Sequence, residues 1–242
     1  MKIMVINPNS SEEMTRQIEQ VLSRIKRPET ELTVVRVEEA PPAIESDTDI
    51  AQAVPGVLRL VRRANVEGYD AVIIACFSDP GLSAAREVSE ILVLGIEETS
   101  LHIAAMLGHK FTVLTPLPQR VPKKEREIKA LGLREALASV RPLGLTVTET
   151  EAESERTKAR VLEVSRQAIE EDGAEVLVLG CAGMTGYAEE IEKKLGVVVI
   201  DPTVVTFKVA EGLVEARLCH SKHALYRGKT SHKTIPYCGT MP

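Results

Sequence analysis

One stretch of this chain is written twice. The run AVIIACFSDPG around Cys76 is matched 105 residues later by EVLVLGCAGMTG around Cys181. ILVLGIEET and VVVIDPTVV keep that shift, which pairs Ile96 with Asp201, while KIMVINPNS and KFTVLTPLPQ are offset by 108 and set Asn7-Pro8 against Thr115-Pro116. Three strand-like ends recur in the same order, so a duplicated αβ half-domain is the simplest account. Any two buried strands followed by turns look somewhat alike; the recurrence of a cysteine at the strand end is what separates duplication from that coincidence.

Apolar runs alternate with helical patterns throughout, which predicts α/β architecture with mostly parallel sheets flanked by helices. The expected strands are 2–7, 31–37, 71–76, 92–96, 110–115, 143–148, 175–181 and 197–201. Met14, Ile18, Val21, Leu22 and Ile25 share one helical face. Ser10 with Glu13 reads as a capping box, and Asp79-Pro80 and Asp201-Pro202 read as helix starts. The duplication then gives two pseudo-symmetric lobes: 1–96, with part of 202–218 packing back onto it, and 97–201. Residues 219–242 form a polar tail, expected to be flexible or docked against a neighbouring subunit. Ligands of open parallel sheets bind beyond the carboxyl ends of the strands, so the active site is expected in the cleft between the lobes, lined by loops 7–11, 76–81, 115–119 and 181–185.

Composition narrows the partners. Net charge is −5 with both signs interleaved along the chain, and aromatic residues make up 3% with no Trp, which argues against a nucleic-acid surface. No apolar run approaches the roughly 20 residues of a membrane helix, so no membrane is expected and the chain reads as cytoplasmic. His102 and His109 are read as a surface or core pair on one helix, and KKEREIKALGLREAL, from Lys123 to Leu137, as a solvated helix face. Cys219, His220, His223, His232 and Cys238 fit no zinc-finger spacing. No phosphate loop or Schiff-base lysine motif is present, so neither metal nor cofactor is expected.

Two cysteines at equivalent strand ends suit proton transfer at carbon. Removing a proton beside a carbonyl and returning one on the other face needs a base and an acid on opposite sides. A thiol with a pKa of about 8.5, lowered at a helix N-terminus, can supply either form near neutrality. Cys76 and Cys181 are both expected just before a helix, where the dipole favours the anion. Backbone N–H groups of the following loops, with Asn9, Ser10, Ser11 and Thr115, could receive the developing enolate oxygen, and Gly81, Gly183 and Gly186 would allow close backbone approach to a flat ligand. A single cysteine at a strand end is more often a small buried hydrophobe, so the weight lies on the pair.

The segments MKIMVINPNSSEEMT, ACFSDPGL and GCAGMTG, in this order, resemble those of hydantoin and allantoin racemases, a branch of the aspartate/glutamate racemase superfamily; the similarity runs from Met1 to about Ala216. The resemblance implies a two-lobed α/β fold, cofactor-independent racemisation and catalytic cysteines at Cys76 and Cys181. It also implies ligand contacts from Pro8, Asn9 and Ser10, from Phe77 and Ser78, from Thr115, and from Ala182, Gly183 and Met184, as well as a homo-oligomer. Where amino-acid racemases of the superfamily place polar groups beside the cysteines, this chain has Phe77, Ala182 and Gly183, which fits a neutral cyclic ureide better than a zwitterion. It departs from many relatives at Thr115-Pro116, where two hydroxyl residues are usual. The expected activity is inversion at C5 of 5-substituted hydantoins or allantoin. The rivals are an aspartate/glutamate-type racemase or maleate-type isomerase on the same fold, an arylmalonate-type decarboxylase, and a small-molecule binding protein with inert thiols.

Overall fold

The structure is a computed structural model that describes residues 1–152 and 155–228. Its chain divides into two compact units, Met1–Ile96 with the segment from Thr206 onward, and Glu97–Val205. The first contains β1 (Lys2–Asn7), α1 (Glu12–Ile25), β2 (Glu31–Arg36), α2 (Asp47–Val66), β3 (Ala71–Ile74), α3 (Leu82–Val88) and β4 (Leu92–Gly95), followed by α4 (Ile96–Leu107). The second contains β5 (Phe111–Thr115), a 3-10 turn leading into α5 (Val121–Ala130), β6 (Leu137–Pro142), α6 (Val147–Glu151), α7 (Glu155–Asp172), β7 (Val176–Leu179), a 3-10 turn at Ala182–Met184, α8 (Ala188–Leu195) and β8 (Val198–Ile200), followed by α9 (Pro202–Glu215).

Each unit holds a four-stranded, wholly parallel sheet, in the orders β2-β1-β3-β4 and β6-β5-β7-β8. The same winding occurs twice, as the repeated sequence requires. The central strands are apolar on both faces because helices cover both: every residue of β3 (AVII) and of β7 (VLVL) is buried. In the first unit Met4, Ile6, Val72, Ile74 and Val93 pack with Val57 and Val61 of α2. Burying each such aliphatic side chain contributes about 1.5–3 kcal/mol before chain entropy is counted. In α1 the stripe Met14, Ile18 and Leu22 is buried, three of the five positions expected on one face.

Several local expectations are corrected. The strand expected at 143–148 lies instead at Leu137–Pro142. Gly144 turns the chain at φ +71°, and Thr146 with Glu149 forms a capping box that starts α6 where alternating apolar residues had suggested a strand. The cap of α1 is Ser11, whose side chain accepts the Met14 N–H, not Ser10, whose N–H goes to the Pro41 carbonyl; Glu13 is engaged by Arg16. Asp201 does cap α9, its Oδ1 accepting the N–H groups of Thr203 and Val204. Asp79-Pro80 does not start α3, which begins at Leu82 after Gly81. His109 falls beyond the end of α4, so it shares no helix with His102. Within the face expected to be solvated, Lys124 is buried and paired with Glu97 at 2.7 Å and Glu127 at 2.8 Å.

The described part of the polar tail, Cys219–Gly228, docks on its own unit rather than extending free. β4 is an edge strand, and its outward backbone groups need partners. Val93 N–H donates to His220 Nε2 at 3.0 Å, and the Val93 carbonyl accepts from Arg86 Nε at 3.1 Å. Lys222 Nζ donates to the Arg86 carbonyl, and the Arg86 guanidinium lies over the Tyr226 ring, 5.6 Å from its centroid. His232 and Cys238 lie outside the described residues. No helix among the described residues is long and apolar enough to cross a membrane, and no cluster of three or more His, Cys, Asp or Glu among them could hold a metal.

Burial, and then the Arg86 charge, lower the His220 pKa to about 4 from its ordinary 6.5, with Lys222 adding to the effect. The undocked imidazole therefore binds a proton more readily than the docked one. Docking is fully favoured above pH 6.5 and weakens as pH falls toward 4. We expect the protection of the β4 amides against hydrogen exchange, corrected for intrinsic rates, to fall across that window, and His220→Gln to remove the dependence. Unchanged protection from pH 7 to 4 would contradict the docking scheme.

Candidate active site

Parallel winding places the loop after each central strand beside the loop after its neighbour. In the first unit β1 lies next to β3, with Ile6 opposite Ile74, and the Ala75 N–H reaches the Ile6 carbonyl at 2.8 Å. Pro8 to Ser11 thus emerges beside Cys76 to Ser78. In the second unit β5 lies next to β7, with Leu114 opposite Leu179, and the Gly180 N–H reaches the Leu114 carbonyl at 2.8 Å. Thr115 thus emerges beside Cys181 to Met184. In both units the bonded amide immediately precedes the cysteine, and every expected site residue falls in one of these two loop pairs.

The loop after β1 is ordered from within. Asn7, fully buried, donates from Nδ2 to Asn9 Oδ1 at 2.8 Å and to Thr15 Oγ1 at 3.0 Å, and its Oδ1 accepts the Asn9 N–H at 3.3 Å. Asn9 Oδ1 also accepts the Ser11 N–H at 2.9 Å, and Asn9 Nδ2 faces Met14 Sδ at 3.3 Å. Asn9 is only 4% exposed with both ends of its amide engaged, so it builds the loop, whereas Ser10 and Ser11 are half-buried. Sequence reading had named Asn9 and passed over Asn7. The signal was there in the Asn-x-Asn spacing, because an Asx side chain bonds backbone two residues on.

Cys76 is half-buried, followed by buried Phe77 and half-buried Ser78. The chain then turns tightly: the Asp79 N–H bonds the Cys76 carbonyl at 3.0 Å, and Asp79 itself takes a left-handed φ of +40°. Its carboxylate lies against Gly95 at the end of β4, where a Cβ would come within 2.3 Å of Asp79 Cγ. Asp79 therefore sits beside the cysteine turn and is not the cap of α3.

Cys181 is 7% exposed and stands at the head of the 3-10 turn, with Sγ accepting the Gly183 N–H at 3.3 Å. Ala182, Gly183 and Met184 are all buried. Neither cysteine directly precedes an α-helix, since α3 starts at Leu82 and α8 at Ala188. The expected helix dipole is replaced, at Cys181, by one local amide aimed at the sulfur. Thr150 of α6 also reaches this sulfur, Oγ1 to Sγ 3.7 Å, and its main-chain carbonyl accepts the Tyr187 hydroxyl at 3.2 Å. The misplaced strand at 143–148 had hidden Thr150 from sequence analysis.

Behind Cys181 the loop is anchored by Asp201. Its carboxylate accepts the Gly186 N–H at 2.8 Å and lies 3.4 Å from Thr185 Oγ1, besides capping α9. Burial raises its pKa, opposed by these donors. Thr115 is buried, its carbonyl taking the Leu143 N–H at 2.8 Å. Gly180 leaves no room for a side chain: a Cβ there would lie 2.6 Å from the Leu114 carbonyl oxygen.

The sequence model of the Asp/Glu/hydantoin racemase family matches residues 3–210. A hydantoin racemase of Pseudomonas sp. (strain NS671) is 38% identical over 227 residues, 94% of this chain and 91% of that protein. A hydantoin racemase of Rhizobium meliloti is likewise 38% identical over 226 residues, covering 93% and 94% of the two chains. The solved allantoin racemase from Klebsiella pneumoniae superposes with a TM-score of 0.90 at 36% identity, covering 93% of this chain and 92% of that one.

The close approach of β5 and β7 gives a direct test. Gly180→Ala should force the two strands apart beside Cys181 and cost about 1–3 kcal/mol, read as a lower urea midpoint with little change in slope. Stability equal to the parent's would show that the strand ends are not packed as described.

Proposed function

The chain belongs to the Asp/Glu/hydantoin racemase family, and we propose that it inverts C5 of a hydantoin-type ring, a 5-substituted hydantoin or allantoin, with Cys76 and Cys181 serving one substrate carbon from opposite faces. It is an isomerase of the racemase type, which sets aside the reading as a binding protein. One observation carries the two-thiol proposal: the cysteines occupy the same place in two copies of one winding, each directly after the amide that bonds the neighbouring central strand.

The chemistry follows from what C5 requires. Its hydrogen lies between a ring carbonyl and a ring nitrogen, so its loss gives an enolate. For one enantiomer the Cys76 thiolate removes the proton and the Cys181 thiol supplies another on the far face. The mirror image uses the same groups in reverse. No cofactor enters the balance, because one proton leaves carbon for sulfur and another leaves sulfur for carbon. Near Cys181 the Gly183 amide supports the anion while it exists. N–H groups of the loops after β1, β3, β5 and β7 are the candidates for receiving the enolate oxygen, with half-buried Ser10, Ser11 and Ser78 as side-chain donors. Phe77 and Met184 supply apolar contact suited to a neutral ring, which favours a ureide over an amino acid zwitterion.

Decay of optical rotation should be seen with a hydantoin panel or allantoin and not with aspartate, glutamate or maleate. Cys76→Ala and Cys181→Ala should each reduce racemisation by roughly 10²–10⁴-fold or more. Full activity in either variant overturns the two-thiol mechanism, and turnover of aspartate or maleate with none of hydantoins overturns the substrate class.

A further inference from the structure

We propose that Thr150 is a positioning residue for Cys181, accepting the hydrogen bond of its thiol and so holding that cysteine as the acid of the resting pair. The inference rests on the two-thiol reading and adds to it which sulfur carries the proton. Thr150 Oγ1 lies 3.7 Å from Cys181 Sγ, within range for a bond involving sulfur. A hydroxyl has one proton to give, and that of Thr150 is directed to the Val147 carbonyl one turn back in α6, at 2.7 Å. The side of the oxygen facing sulfur is therefore a lone pair, and the proton between them belongs to the thiol.

Opposite forces act on the same sulfur. An acceptor facing the thiol stabilises its protonated form, while the Gly183 N–H, 3.3 Å from Sγ, stabilises the thiolate. The sulfur thus has a partner suited to each state it must pass through. The partner is rigidly held: Thr146 and Glu149 cap α6 reciprocally, and the Tyr187 hydroxyl fastens the Thr150 carbonyl at 3.2 Å. Among ionisable groups on the described elements packed around this loop are Tyr187, so engaged, and the buried Asp201, which is turned to Thr185, Gly186 and the start of α9.

The test is alkylation by iodoacetamide across a pH series, with Cys76 and Cys181 counted separately by peptide mass spectrometry in the full-length protein. Thr150→Val removes the acceptor at nearly constant volume. It should lower the midpoint for Cys181 by about half a pH unit, near a threefold change in ionisation constant, and leave that for Cys76 in place. Thr150→Ser, which keeps the hydroxyl, should restore the parent midpoint, and Thr150→Ala should repeat the shift should the valine variant fold poorly. A Cys181 midpoint unmoved by loss of the hydroxyl, a serine variant that behaves like valine, or an equal shift at both cysteines overturns the proposal. Racemisation by Cys181→Ala is read alongside. Activity retained there refutes the two-thiol reading while leaving the alkylation result to decide the Thr150 contact on its own.

Discussion

A single backbone hydrogen bond, made once in each unit, organises the candidate site. Ala75 N–H to the Ile6 carbonyl and Gly180 N–H to the Leu114 carbonyl are the last ties between a central strand and its neighbour, and each leaves a cysteine as the next residue. Beyond those bonds the chains leave the ladder as loops, and the space beyond the carboxyl ends of parallel strands is where ligands of such sheets bind. The position of the sulfur is therefore inherited from strand register rather than built by the loop. Gly180 shows how tightly it is set, since even a methyl group would strike the opposing carbonyl.

Much of this was legible because the repeat carries its own evidence. Matching offsets around Cys76 and Cys181 gave the sheet-and-helix order of both units, and the central strands announced themselves as unbroken apolar runs. Local chemistry was less transparent. Residues 143–148 alternate like a strand, yet Gly144 and the Thr146–Glu149 box make them a turn and a helix start. Asp79-Pro80 has the composition of a helix start but spends its aspartate on a left-handed turn against Gly95. In each case two local signals competed, and tertiary packing chose between them.

The two repeats have also drifted apart where chemistry would ask them to. Where the first unit carries the buried Ile96, the second carries Asp201, a carboxylate whose donors fix the loop behind Cys181. Thr150, from the short helix α6, adds a hydroxyl beside Cys181, so polar atoms gather around the second cysteine loop. A symmetric scaffold with asymmetric surroundings suits a reaction that needs one thiol charged and the other protonated at any instant, since identical environments would leave that choice to chance.

Proton bookkeeping in deuterated water tests the central claim most directly. When one enantiomer of a hydantoin is converted and the reaction is stopped early, two thiols on opposite faces must put deuterium into the newly formed enantiomer while the recovered starting enantiomer stays unlabelled. Label appearing in the recovered substrate as fast as in the product would mean that one group serves both faces, and the two-cysteine account would be wrong.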